Sequence, residues 1–113
     1  MKFKFLLTIM SSVLFFVFCS SSKKSSVNKT AITYTNNIQP LFLAKCAPCH
    51  FPEKGGKKTP FNTYEAVADE IDEIVTRVQL QPGQRHFMPK DGDRLSEKEI
   101  QMIKDWQTGG LVK

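Results

Sequence analysis

Three stretches of the chain after residue 30 place apolar residues at the spacing of an amphipathic α-helix. The first helix is predicted to begin at a cap formed by Thr35 or Asn36 and to run toward Cys46. Pro40 falls in its opening turns, where a proline is tolerated. The apolar face of this helix consists of Ile38, Leu41 and Phe42. The predicted helix therefore leads directly into a pair of cysteines.

The second helix is predicted to begin at Thr63, a favourable N-cap residue, and to end before Pro82-Gly83. Its apolar stripe consists of Tyr64, Val67, Ile71, Ile74, Val75 and Val78. Acidic residues lie outside this stripe, as on the solvent side of an amphipathic helix.

The third helix is predicted to begin after Ser96, whose spacing from Glu99 is that of a capping box. Leu95 and Ile100 occupy the positions of a hydrophobic staple across the same terminus. The apolar side of the helix consists of Ile100, Ile103 and Trp106. Gly109-Gly110 is expected to end it.

Two irregular segments, 51–62 and 84–94, separate the predicted helices, and the sequence contains no strand pattern and no internal repeat. The predicted fold class is therefore all-α, with three helices and two long loops. Loops of this length in a small domain need something to fold onto. Five of the nine Phe residues precede residue 19, so the remainder has few large apolar side chains for a core. A bound cofactor would supply the missing apolar surface.

The first 29 residues differ in character from the rest of the chain. Lys2 and Lys4 precede an apolar run, Phe5–Phe18, that is short for a bilayer span and typical of a secretory signal. Cys19 and the serines after it resemble a bacterial lipoprotein signal, although Phe18 stands where such signals have a small residue. We expect a signal peptide over 1–19, a flexible tether over 20–29 and one domain over 30–113.

The resemblance to lipoprotein signals implies that Cys19 is lipidated and anchors the mature protein to a membrane. Cleavage near Ser21, which would release a soluble periplasmic protein, and retention of an uncleaved anchor remain as alternatives.

The net charge of +5 comes entirely from five lysines before residue 30. The remaining 11 Lys and Arg residues are balanced by all 11 Asp and Glu residues, so the predicted domain is formally neutral. Nucleic-acid binding requires a concentrated basic surface, and the sequence does not predict one.

The candidate chemistry lies in the segment Cys46–His50, two cysteines three positions apart followed at once by a histidine. This spacing is that of a c-type haem attachment motif, in which two thiols bind the porphyrin and the imidazole binds the iron. A thioredoxin-like dithiol is the main rival, but that motif follows a strand, and here a helix leads into it. A zinc site would need a second Cys/His pair, and a plain disulfide leaves His50 unexplained.

Residues 35–111 resemble a class I cytochrome c domain of the small bacterial kind. The resemblance rests on the motif Cys46–His50, on Met88-Pro89, and on the final helix with Trp106 and Gly109-Gly110. It implies an all-α small cytochrome c fold, with three main helices and long loops wrapped around one covalently bound haem.

The resemblance also implies roles for individual residues. Cys46 and Cys49 would form the thioether bonds of one haem c, and His50 and Met88 would be the axial ligands of its iron. Pro60 would accept a hydrogen bond from the imidazole through its carbonyl, and Trp106 would lie near the haem edge or at the helix contact.

By chemistry alone His86 is a rival distal ligand to Met88, and a methionine beside Phe87 is often core packing. Arg77, Arg85, Lys57 and Lys58 are candidate partners of the haem propionates.

The sequence contains no recognisable acid/base or nucleophilic set of residues. The resemblance implies an electron-transfer protein rather than an enzyme. The expected function is one-electron transfer on the periplasmic side, with redox proteins as partners. Lysines near the motif, namely Lys45, Lys54, Lys57 and Lys58, are candidate contacts for an acidic partner. The alternatives are a haem-based sensor or small-ligand-binding module, and an accessory haem subunit of a larger redox complex.

Overall fold

The computed structural model describes residues 30–113. The predicted signal sequence, Cys19 and the tether lie outside the described residues. Within residues 30–113 the chain forms helices and no strands, which agrees with the all-α prediction. Within the same region, no helix has the length and apolar character that a membrane crossing requires.

The first helical segment opens with a π-helical turn, Tyr34–Ile38, and continues as helix α1, Gln39–Lys45. Its N-cap is Thr33, whose side-chain oxygen accepts a hydrogen bond from the Asn36 N–H at 3.2 Å. The predicted caps, Thr35 and Asn36, were therefore wrong. The wider π turn adds residues before the regular α-helix, so the helical segment begins earlier than an α-helical register indicates.

The second predicted helix is divided into α2, Tyr64–Asp69, and α3, Ile71–Val78. The predicted cap at Thr63 is confirmed, because its hydroxyl oxygen accepts a hydrogen bond from the Ala66 N–H at 3.2 Å. The division occurs at Glu70, whose backbone (φ −100°, ψ 4°) departs from the α-helical conformation.

Helix α4, Glu97–Thr108, has the capping box predicted from the sequence. The Glu99 carboxylate accepts from the Ser96 N–H at 2.7 Å, and the Ser96 hydroxyl accepts from the Glu99 N–H at 3.3 Å. Leu95 and Ile100 are both buried, as expected of a hydrophobic staple. The helix ends at Gly109, and Gly110 takes the left-handed conformation (φ +90°) that glycine adopts without strain.

The core lies where α4 packs against the π turn and against α3. Its fully buried side chains are Ile38, Phe42, Val67, Ile103 and Trp106. The Trp106 ring lies 6.1 Å from Tyr34 and 6.2 Å from Tyr64, centroid to centroid. Trp106 thus occupies the helix contact, one of the two positions expected for it.

The last residues of the chain are held against this aromatic cluster. The Val112 carbonyl accepts two hydrogen bonds, one from the Tyr34 N–H and one from the Trp106 indole N–H, each at 2.8 Å. The Tyr64 hydroxyl donates to the Leu111 carbonyl at 2.8 Å. The start of the first helical segment, α2 and α4 are therefore joined through residues 111–112.

Candidate functional site

The motif Cys46–His50 follows α1 without a break. Cys46 caps the helix, with its N–H donated to the Phe42 carbonyl at 2.8 Å. The chain then turns back on itself, because the His50 N–H is donated to the Cys46 carbonyl at 3.1 Å. Both cysteines are free thiols, so the turn presents two thiols and an imidazole within five residues.

The two thiols differ in their surroundings. Cys46 is half-buried and packs against the core, whereas Cys49 is exposed. Burial disfavours the charged thiolate and raises the pKa of Cys46 to about 12. Cys46 is therefore a protonated thiol at neutral pH in this conformation.

The imidazole of His50 is oriented by a backbone carbonyl. Nδ1 lies 2.7 Å from the Thr59 carbonyl oxygen. A carbonyl only accepts, so Nδ1 carries the proton, and in a neutral ring the free lone pair is on Nε2. This is the arrangement that a histidine uses to bind a metal through Nε2 while its other nitrogen is held by the protein. The predicted acceptor, Pro60, was wrong by one position, since the carbonyl that reaches the ring belongs to Thr59.

A second side chain contacts the same imidazole. The rings of His50 and Phe61 are stacked, with 4.2 Å between centroids and 4° between planes. The Phe61 N–H is also donated to the His50 carbonyl at 2.8 Å. Sequence reasoning did not assign Phe61 a role, because only the path of the intervening loop brings it to His50.

The loop 51–61 packs along the back of the motif. The Lys58 N–H is donated to the Cys49 carbonyl at 3.1 Å, and Gly56 lies directly against the backbone of Pro48 and Cys49. Sequence reasoning placed Gly56 in a loop without further role. The pair Gly55-Gly56 was the available signal, because a glycine often marks a close approach of two backbones.

Met88 lies in the second long loop, between α3 and α4. It is half-buried, and its N–H is donated to the Arg77 carbonyl at the end of α3 at 3.4 Å. It lines a cavity of about 440 Å³. The cavity is also lined by Arg77, Arg85, His86 and Lys90. His86, the rival ligand, is exposed and takes a left-handed backbone conformation (φ 71°).

The charged residues considered in the sequence have varied surroundings. The Arg77 guanidinium is paired with Glu73 at 2.6 Å, and the Lys45 ammonium with Glu99 at 3.7 Å. Lys54, Lys57 and Lys58 are exposed on the loop that backs the motif. Within residues 30–113, no group of three or more His, Cys, Asp or Glu side chains could hold a metal ion.

The structure thus brings Cys46, Cys49 and His50 together with Thr59 and Phe61. Met88 lies in a separate loop, with its N–H donated to the Arg77 carbonyl at the end of α3. No protein-family model matches the sequence, and neither a curated protein nor a solved structure matches it at a significant level.

Proposed function

We propose that the chain is an exported monohaem c-type cytochrome that carries single electrons on the periplasmic side of a membrane. The observation that supports this best is the hydrogen bond from His50 Nδ1 to the Thr59 carbonyl, next to two free thiols. This hydrogen bond leaves the lone pair of Nε2 available to bind a metal. The motif that contains His50 is the one whose residue types predict haem attachment.

The residues of the motif Cys46–His50 fit a covalently bound haem. Cys46 and Cys49 would hold one haem through thioether bonds, and His50 would bind its iron. When bound, the haem supplies the Fe(III)/Fe(II) couple. The described helices and loops would then be those of a small cytochrome c fold. Through the Thr59 hydrogen bond, the loop 51–61 keeps the imidazole in one tautomer, with Nε2 available to bind the iron.

Met88 is the proposed second ligand. It is the half-buried thioether of the 84–94 loop, and its backbone is attached to the end of α3. A thioether stabilises Fe(II) better than a second imidazole and so raises the reduction potential. His86 is exposed in the same loop and is therefore less suited to be an iron ligand that is shielded from water.

The test is to express the full chain together with haem-attachment machinery. We expect a c-type pyridine haemochrome and one haem mass retained on the denatured chain. Cys46→Ser and Cys49→Ser should each retain at most one thioether, whereas Lys98→Ala, an exposed change on α4, should behave as the wild type. A colourless wild-type chain with unmodified thiols would overturn the proposal.

A second candidate function is a haem-based module that binds a small ligand. The observation that favours it is the pocket of about 440 Å³ that Met88 lines, which would leave room for the thioether to move aside. Rapid carbon monoxide binding to the reduced protein would support this function. Slow or absent binding would support the electron carrier.

The site of action is proposed from the sequence of residues 1–29. Intact mass of the membrane fraction should show acyl additions on a chain that begins at Cys19. A soluble product that lacks Cys19 would show instead that ordinary signal-peptide cleavage removes this cysteine and that the protein carries no lipid there.

A further inference from the structure

Phe61 is held in place by three contacts, and two of them involve His50. Its ring is parallel to the imidazole at 4.2 Å, and its N–H is donated to the His50 carbonyl at 2.8 Å. On its other side the ring lies 6.0 Å from that of Phe42, inclined by 55°. Phe42 is 1% exposed, so the orientation of Phe61 is fixed by the core.

Thr59 and Phe61 restrain different motions of the same imidazole. The hydrogen bond to the Thr59 carbonyl fixes the direction in which Nδ1 points. A single hydrogen bond does not by itself prevent the ring from rotating about the Nδ1···O line. A flat aromatic face parallel to the imidazole opposes this rotation, since it would push one edge of the imidazole into Phe61.

We infer that Phe61 is a positioning residue that sets the plane of the His50 imidazole, and thereby the orientation in which the ring would present Nε2 to the iron. The inference rests on the proposed function. With haem bound, a different plane of the imidazole would redistribute the unpaired electron density over the porphyrin of the oxidised protein. A role in folding alone would not produce this effect.

The test compares Phe61→Leu, which keeps apolar volume but removes the flat face, with Phe61→Tyr, which keeps that face. The readouts are the hyperfine-shifted haem methyl resonances and the electron paramagnetic resonance g values of the oxidised, haem-loaded full chain. We expect Phe61→Leu to change the order or spread of the methyl resonances while the covalent haem mass is retained. Phe61→Tyr should restore the wild-type pattern.

The matched control is Ile103→Val, which trims a fully buried core side chain of α4 and leaves Phe61, Phe42 and His50 unchanged. An unchanged methyl pattern in Phe61→Leu, or an equal change in Ile103→Val, would overturn the inference. Where Phe61→Leu fails to accumulate, Phe61→Met, which is unbranched and adaptable, takes its place under the same criteria. A wild-type chain without covalent haem would instead overturn the proposed function.

Discussion

Gly56 lies so close to Cys49 that a β-carbon at Gly56 would stand 2.5 Å from the Cys49 carbonyl oxygen and 2.8 Å from its carbon. These are backbone atoms of the attachment motif, and they cannot move away as a flexible side chain would. The absence of a side chain at residue 56 is therefore a requirement of the path by which loop 51–61 packs behind the two thiols and His50.

Gly56→Ala should destabilise the apoprotein by about 1–3 kcal/mol, the usual cost of overpacking, and reduce haem incorporation. Gly92→Ala is the matched control, because the nearest atom to its added β-carbon is a Pro89 side-chain carbon at 3.4 Å. Urea midpoints of both apoproteins measure the difference. Equal midpoints would show that the loop shifts to accommodate the added methyl group at residue 56.

Arg94 joins the two ends of the loop that contains Met88. Its Nε donates to the Leu80 carbonyl at 3.2 Å, and its Nη1 donates to Leu95 at 3.3 Å and Glu97 at 2.7 Å. Arg94→Ala should cost roughly 1–3 kcal/mol, since two partly buried carbonyls lose their donor. In the oxidised, haem-loaded protein, a Met88 sulfur bound to iron would give a sulfur-to-iron absorption band near the red edge of the visible. Arg94→Ala should weaken this band and speed carbon monoxide binding to the reduced protein, while the covalent haem remains.

Lys98→Ala, an exposed change near the start of α4, is the control for Arg94→Ala. A sulfur-to-iron band of full strength in Arg94→Ala would show that Met88 is positioned without this bridge.

The two thiols should react at different rates in the reduced apoprotein. A maleimide at neutral pH should label exposed Cys49 first, because Cys46 is half-buried and its pKa is raised to about 12. Mass spectrometry of Cys46→Ser and Cys49→Ser, each with one remaining motif thiol, gives the two rates. Faster labelling of the Cys49→Ser variant, in which Cys46 remains, would contradict this ordering.

The same pKa shift gives a pH dependence. In the unfolded chain the Cys46 thiol ionises near pH 9.0, whereas in the fold it ionises only near pH 12. Above pH 9.0 the unfolded chain therefore loses this proton first, so the free energy of unfolding should fall between these two values. Cys46→Ser, which has no ionisable thiol at this position, should lack that component in urea titrations at rising pH.

Trp106 should affect stability more than it affects the haem spectrum. Trp106→Phe removes one of the two donors to the Val112 carbonyl and should cost about 1 kcal/mol. Trp106→Ala also empties a fully buried site and should cost roughly 3–5 kcal/mol. Denaturant midpoints measure both. A large change in the haem spectrum of Trp106→Phe would contradict its location at the helix contact.

Local signals in the sequence predicted the helix termini that depend on a few adjacent residues. The cap at Thr63, the capping box of Ser96 and Glu99, and the end at Gly109 are all confirmed. The break at Glu70 was missed because the apolar stripe continues across it. Val67, before the break, and Ile71, after it, are both buried. Periodicity reports which residues face the core, and it is insensitive to one residue leaving the helical conformation.

At the candidate site, the residue types of the motif could be interpreted from the sequence, whereas the path of the neighbouring loop could not be predicted. The motif Cys46–His50 could be singled out because its chemistry depends on spacing along the chain. The acceptor for His50, its stacking partner and the requirement for glycine at residue 56 depend on how loop 51–61 returns to the motif. The sequence contains no local pattern that specifies such a return. The predicted acceptor was therefore Pro60 instead of Thr59, and Phe61 was given no role.

The double hydrogen bond at the Val112 carbonyl also has a consequence for the timing of folding. Tyr34, in the first helical turn, is joined to Val112, which follows α4, so this contact cannot form until the chain has been synthesised through α4. Before the fold closes, Cys46 lacks the burial that raises its pKa and lowers its reactivity. The interval before this contact forms is therefore the period in which the Cys46 thiol is most open to covalent modification.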